Sequence, residues 1–435
     1  MVASADNLNQ DVLEYICNFC TDADLFELAL VSQSFMAAAY PQLYRTISFQ
    51  ERQAKHYPRL LSPFSVLLKH QKIALHVRTL DLRAIPLIHG SLNPQFMRDL
   101  VSALKLCKNL SSFRCIISGN DALVPILPSL MDKQRLQSLR IHSGGFSTQQ
   151  AVFATRITQL QSLALDAPSW QMLNALDDWS SDLGSTLTSL TIFNSSEANS
   201  DSLRPVLAHL PLLRAFHVVG CSKIDYPQAL ELAKDVPELE SLSFTAYRKE
   251  EASTSLPYTL PRLRQLSVEL RIHPGAQGGQ AILTDVFRRF DKVLAPGLLG
   301  IKIKCTDTST SLSTSFIKSL LDVHANTLET LCIIFAQLKI DSIKLICKRC
   351  TGLRRLEIPF DTADLVPLGC AAAHSKSLSV ISNTADAHMK RGSQASLNRS
   401  QAQRIMEIAP ALKTIISEPR IYTVSQTLPH AQSQS

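Results

Sequence analysis

The stretches "LQSLRI" at residues 136–141 and "LQSLAL" at residues 160–165 decide how this chain is read. Each places apolar side chains at its first, fourth and sixth positions, and its second half alternates as a strand does. The same order returns as VRTLDL at Val77, LSSFRC at Leu110, LTSLTI at Leu187, LRAFHV at Leu213, LESLSF at Leu239 and LRQLSV at Leu263. It continues as LLGIKI at Leu298, LETLCI at Leu328, LRRLEI at Leu353, LSVISN at Leu378 and LKTIIS at Leu412, which makes thirteen candidate units.

Successive units start 33, 26, 24, 27, 26, 26, 24, 35, 30, 25, 25 and 34 residues apart. Eight of the twelve intervals fall between 20 and 29, and the long ones read as loop insertions near 86–94, 273–280 and 385–403, the last two holding "HPGAQGGQ" and "AHMKRGSQASLNRSQ". Between the strand signatures, "NPQFMRDLVSALKLC" and "DSIKLICKRC" repeat apolar residues every three or four positions, as helices do. A strand–turn–helix unit cannot bury its apolar face alone. Stacked copies predict an α/β solenoid with a parallel sheet on the concave side and helices on the convex side. The pattern resembles the leucine-rich-repeat family over roughly Val77 to Ile416. Where that family usually has Asn or Cys, eight positions into the unit, this chain has Cys221 once and Ser195, Thr306, Ala336 and Asp361 elsewhere.

The N-terminus has another pattern. "NLNQDVLEYICNFC" puts Leu13, Ile16, Cys17 and Cys20 on one helical face, and "DLFELALVSQSF" does the same with Leu25, Leu28, Ala29 and Phe35. Asp22 or Asp24 is the expected N-cap of the second helix. A third helix through "SFMAAAY" is expected to stop near Pro41, before an extended "LYRTISF".

Leu8 to Phe49 resembles an F-box. Its opening matches at Leu8, Val12, Leu13 and Ile16, its core at Leu28, Leu30, Val31, Ser32 and Phe35, and its last segment at Leu43, Tyr44 and Arg45. Asn9 stands where the family usually has proline, and Phe35 where it often has tryptophan. The resemblance implies a helical module whose apolar surface is covered by a Skp-family adaptor, with docking residues Leu8, Val12, Leu13, Ile16, Leu25, Leu28, Val31, Ser32, Phe35 and Leu43. An F-box followed by leucine-rich repeats is similar to the substrate-receptor subunits of cullin-based ubiquitin ligases. That implies a chain that does no chemistry itself, docks on the adaptor and through it on a cullin, and holds a target protein. The alternative is a non-catalytic scaffold whose first helices only cap the repeats.

The expected organisation is therefore a helical module over 1–50, a helical linker over 51–76, the solenoid over 77–420 and a polar, disordered tail over 421–435. Apolar residues make up 45% of the chain and charged residues 19%, with 44 Lys and Arg against 37 Asp and Glu for a net +7. So mild and dispersed a charge argues against nucleic-acid and membrane partners. The start lacks the features of a signal peptide, and no apolar run is long enough to span a bilayer, so a cytoplasmic or nuclear location is expected.

The ten cysteines then read as reduced core thiols, including the C-x-x-C pairs Cys17/Cys20 and Cys347/Cys350, for which a metal or redox role is the alternative. No H-E-x-x-H spacing, nucleophile elbow or phosphate-binding glycine loop occurs, and no catalytic residue, cofactor or metal is expected. The basic "KLICKRCTGLRRLE" reads as a solvated surface.

Offsets two, four and six of each unit point out of the concave sheet. They carry Arg83, Arg114, Arg140, Lys302, Lys304 and Arg355 against Asp81, Asp166, Glu269 and Glu357, with Phe193 and His217 among them. Arg114, Arg140, Phe193, His217, Lys302 and Arg355 are the expected target-binding residues, since aromatic and Arg anchors dominate interface energies. Packing of Phe193 over a neighbouring unit is the alternative.

Overall fold

A strand forms in each of the thirteen units and begins two residues after the unit's first residue, from Thr79–Leu82 to Thr414–Ser417. The structure is a computed structural model, and the residues described are 8–118, 122–247, 259–272, 278–290, 297–306, 310–385, 397–417 and 420–423. They fall in two units, Met1–Leu213 with Cys221–Lys223, and Arg214–Gly220 with Ile224–Ser435.

In the first unit, strands Thr46–Phe49, Thr79–Leu82, Ser112–Cys115, Ser138–His142, Ser162–Asp166 and Ser189–Phe193 run parallel in one register, aligning Ile47, Leu80, Phe113, Leu139, Leu163 and Leu190. In the second, eight parallel strands from Ala215–Val219 to Thr414–Ser417 align Phe216, Leu242, Leu266, Ile301, Leu331, Leu356, Ile381 and Ile415. The last of these pairs antiparallel with Arg420–Thr423. The fold is the leucine-rich-repeat solenoid type. All of these aligned side chains are buried.

One backbone device repeats throughout. Within the first unit and within the second, the carbonyl one residue into a repeat accepts two amides of the next, as Gln137 does from Gln161 and Ser162, and Arg264 from Leu299 and Gly300. Register is thereby fixed before side chains contribute. Convex helices follow the strands, and many begin where the sequence supplies an N-cap. Asn93 caps Pro94–Leu106, Ser147 caps Thr148–Thr155, Ser313 caps Thr314–His324 and Asn398 caps Arg399–Ile408. Turn positions also find partners: Ser195 Oγ accepts the amides of Glu197 and Ala198, and the Cys221 thiol donates to the Ile192 carbonyl.

The insertion expected near 86–94 contains a hairpin of Leu87–Ile88 and Ser91–Leu92. His89 and Gly90 turn it with φ of 49° and 80°, the left-handed geometry that a tight hairpin needs. The other two expected insertions lie partly outside the described residues, over 273–277 and 386–396. Their final residues belong to the helices Gly279–Phe290 and Arg399–Ile408. The tail expected to be disordered over 421–435 needs correction at its start, because 421–423 lie in the strand that pairs with Thr414–Ser417; 424–435 lie outside the described residues.

Three helices open the chain: α1 (Gln10–Cys17), α2 (Asp22–Ala29) and α3 (Gln33–Leu43). They enclose Leu13, Cys17, Leu25, Phe35, Ala38 and Ala39, with Cys20, Leu28, Ala29 and Leu43 partly buried at the margin.

Three further expectations need correction here. The cap of α2 is Thr21, not Asp22 or Asp24. Its hydroxyl accepts the Asp24 amide at 3.3 Å while the Asp24 carboxylate accepts the Thr21 amide at 3.0 Å, a reciprocal capping box. α3 does not stop before Pro41 but runs through it to Leu43, because proline removes one amide from a last turn that the Tyr44 amide closes on the Tyr40 carbonyl. Finally, the sheet begins at Thr46–Phe49, one strand before the first expected unit, with Phe49 packed 4.7 Å from Phe96 and 6.1 Å from Phe64 between ring centroids.

Candidate functional site

Two surfaces gather the candidate residues. On α1, Leu13 and Cys17 face inward, while Val12, Tyr15 and Ile16 lie on a second, exposed face that Leu8 and Phe19 extend at four- and three-residue steps just beyond the helix ends. Tyr15 and Phe19 stack edge to face at 5.0 Å. After α2, Leu30 and Val31 are 70% and 67% exposed, and Phe26, one turn before Leu30, is exposed as well. Eight of the 21 large apolar side chains exposed among the described residues thus lie between Leu8 and Val31. Single exposed apolar residues are ordinary, but a concentration on successive helices marks a surface built to be covered.

The expected docking set divides on this geometry. Leu8, Val12, Ile16 and Val31 are exposed, whereas Leu13, Leu25 and Phe35 are interior and hold the three helices together. Leu28 and Leu43 sit at the margin. Ser32 is the N-cap of α3, its hydroxyl accepting the Phe35 amide at 3.3 Å. Tyr15, Phe19, Phe26 and Leu30 were not in the expected set, although the helical spacing of Leu8, Val12, Tyr15 and Phe19 was there to be read.

The second surface is the open face of the sheet. In the first unit, Arg140 forks onto Asp166 with bonds of 2.8 and 3.0 Å, and its guanidinium lies 4.3 Å from the Phe193 ring centroid. Register puts His142, Asp166 and Phe193 in one row. Burial pushes the His142 pKa down, with Asp166 opposing the shift. Phe193 is half-buried, so it lies against its neighbours under Arg140 and keeps one part open. Arg83 and Arg114 both approach Asp81, at 2.9 and 3.6 Å.

Past these strands the loops open a cleft of about 640 Å³ whose lining includes His142, Trp170 and Glu197. Gly144 lies on its wall because a Cβ there would meet the Ala167 carbonyl at 2.9 Å.

In the second unit His217, half-buried, contacts the Ser241 hydroxyl at 3.2 Å, and burial lowers its pKa to about 4. Each unit thus carries part of the expected target-binding set. Glu269 bonds Lys304 at 2.7 Å and Arg271 at 3.0 Å. Burial alone would raise its pKa, but these two cations outweigh that and hold it below the usual range. Arg355 pairs with Glu357, which also accepts the Cys332 thiol at 3.1 Å. Lys302 is exposed on the neighbouring strand.

Both C-x-x-C pairs contribute to the interior. Cys17 is buried in the helical core, and Cys347 and Cys350 are buried with pKa values pushed up to about 12 and about 11 by desolvation. Thiols in that range are poor nucleophiles. Among the described residues no group of three His, Cys, Asp or Glu side chains is placed to hold a metal.

No protein-family model and no curated protein matches this sequence. Solved structures similar to it include the Rad7 and Elc1 complex of yeast, at 16% identity and a TM-score of 0.45, over 91% of this chain and 94% of that one. The TLR13–ssRNA13 complex aligns at 13% identity and 0.35, over 78% of this chain and 47% of that one. The leucine-rich repeat-containing protein LegL7 of Legionella pneumophila aligns at 15% and 0.32, over 77% and 91%.

Proposed function

We propose that this chain is the substrate-recognition subunit of a Skp–cullin–F-box type ubiquitin ligase, with α1 and α2 docking on the adaptor and the sheet face holding a target protein. One observation carries the reading: α1 is apolar on two faces, and the described residues cover only one. A helix of this kind is stable in water when a partner groove receives its second face. The resemblance of Leu8–Phe49 to an F-box says which partner. In this reading the chain works inside the cell and supplies no catalytic group. Its contribution to ubiquitin transfer is a raised effective concentration of target near an enzyme carried by other subunits.

Co-expression with a Skp-family adaptor and affinity capture tests the proposal, comparing wild type with Phe19→Asp/Val31→Asp. Both positions are exposed, so the variant keeps its fold while putting charge on the docking face. The expected outcome is stable capture by wild type and none by the variant. A folded wild type that captures no adaptor would overturn the reading and leave a repeat scaffold with a helical cap.

A further inference from the structure

The sheet face of the second unit bears on what the target offers. By count its cations outnumber its carboxylates two to one. Arg271, Lys302, Lys304 and Arg355 stand against Glu269 and Glu357 on four consecutive strands, Gln265–Leu270, Gly300–Cys305, Thr330–Ile334 and Arg355–Ile358. Depth widens the excess. The Glu269 side chain is 6% exposed and its partners Lys304 and Arg271 are 41% and 36% exposed. The Glu357 side chain is 22% exposed against 42% for Arg355. Lys302 adds an exposed ammonium on the strand it shares with Lys304. The carboxylates lie deeper than the cations they pair with, so the charge that solvent meets on this face is mostly cationic.

Geometry gives this face a scale. Lys302 and Lys304 are two residues apart on one strand, roughly 7 Å, and the strand of Arg355 lies two ladder steps away, roughly 10 Å. Acidic side chains on one side of an extended peptide repeat at about the first of these spacings. The outward positions of the four strands, Gln265, Ser267, Glu269, Gly300, Lys302, Lys304, Thr330, Cys332, Ile334, Arg355 and Glu357, include no aromatic ring. A surface for single-stranded nucleic acid would need such rings as stacking platforms.

We infer that this face recognises an acidic, extended segment of a protein partner, with Lys302, Lys304, Arg271 and Arg355 meeting its carboxylates. The inference rests on the reading of the repeat sheet as the target-binding surface. It does not need the adaptor.

The test uses the full chain and a fluorescent probe peptide alternating Glu with Ser. Companion probes carry Gln for Glu, phosphoserine for serine, or are oligo-dT of matched length. Anisotropy should show the Glu peptide binding, the Gln peptide not, and affinity falling as salt rises. Lys302→Glu should weaken the Glu peptide about tenfold or more. Tighter binding of the phosphoserine peptide with the same Lys302 dependence would assign the preferred anion within the same class. Equal binding of Glu and Gln peptides, no effect of Lys302→Glu, or preferential binding of oligo-dT would each overturn the inference.

Adaptor capture by Lys302→Glu separates the two proposals. Its retention beside lost peptide binding places the effect on the sheet alone. Peptide binding in a chain that captures no adaptor would keep this inference and sink the ligase reading.

Discussion

The helices at the start of the chain and the open face of the repeat sheet expose opposite chemistry for the same structural reason. α1 and α2 enclose a small core, yet Phe19 and Leu30 remain 74% and 70% exposed because the described residues cover only one side of each helix. Every strand of the sheet also has one side with no helix over it, and there the outward positions carry Arg, Lys, Asp and Glu. A sheet that is permanently wet on one face must satisfy its polar groups in place. It does so with pairs such as Arg140 with Asp166 and Lys304 with Glu269. On the helical module Leu8, Val12, Phe19, Leu30 and Val31 have no polar group to satisfy, and what solvent meets there is apolar.

The largest expected effect tests whether exposure separates two residues of one type. Phe113 lies fully buried in the first unit, and Phe113→Ala should cost about 3–5 kcal/mol in urea unfolding. Phe19→Ala should change stability by less than about 0.5 kcal/mol. Comparable losses would mean that the exposed face of α1 belongs to the fold, and the contrast would collapse.

A second expected effect concerns protonation. His217 and His324 are neutral in the folded chain, burial pushing both down to about 4. The unfolded chain holds their protons near the ordinary histidine value of about 6.5. Unfolding therefore takes up protons below that value, so stability is fully present above about pH 6.5 and is lost as pH falls toward 4. The loss should reach on the order of 3 kcal/mol for His324, which is wholly buried. His324→Gln should flatten that slope in denaturant titrations at pH 7 and pH 5. An unchanged slope would show that the histidine is not the group being charged.

The smallest effect sharpens the division of labour inside the helical module. If Ser32 is a cap, Ser32→Ala should cost about 1 kcal/mol, read as faster hydrogen exchange at the Phe35 amide, and Ser32→Asp should restore protection. A Ser32→Ala variant with normal exchange but weakened adaptor capture would instead assign the hydroxyl to the interface.

Periodicity made the repeat fold readable because one register constraint recurs at every unit, down to the strand start two residues after each leading apolar residue. The sequence reads Thr46–Phe49 as extended, but its place in the repeat sheet is hidden for a chemical reason. Its unit, "YRTISF", begins with Tyr44 rather than Leu or Val, and the pattern was sought in aliphatic residues. Pro41 misled because a preference about one residue's backbone was treated as a stop, although a final turn has little left to lose.

The candidate sites were legible as residue lists and not as surfaces. Sequence places Asp81, Glu269 and Lys304 on one face of their strands but says nothing of depth, and depth decides which charge solvent meets. Likewise a two-faced helix has the same composition whether its second face is buried or waiting.

Interior thiols give the molecule a memory of its own opening. Cys115, Cys332 and Cys347, with pKa values near 12, sit on the sheet and in a helix behind it, while Cys370 is exposed. An electrophile meeting the intact chain finds Cys370 first. Cys115, Cys332 and Cys347 become reactive only in the fraction of time their repeat is open. Alkylation is then a clock that runs separately at each repeat, and the order in which the cysteines are marked writes down which parts of the chain breathe most often.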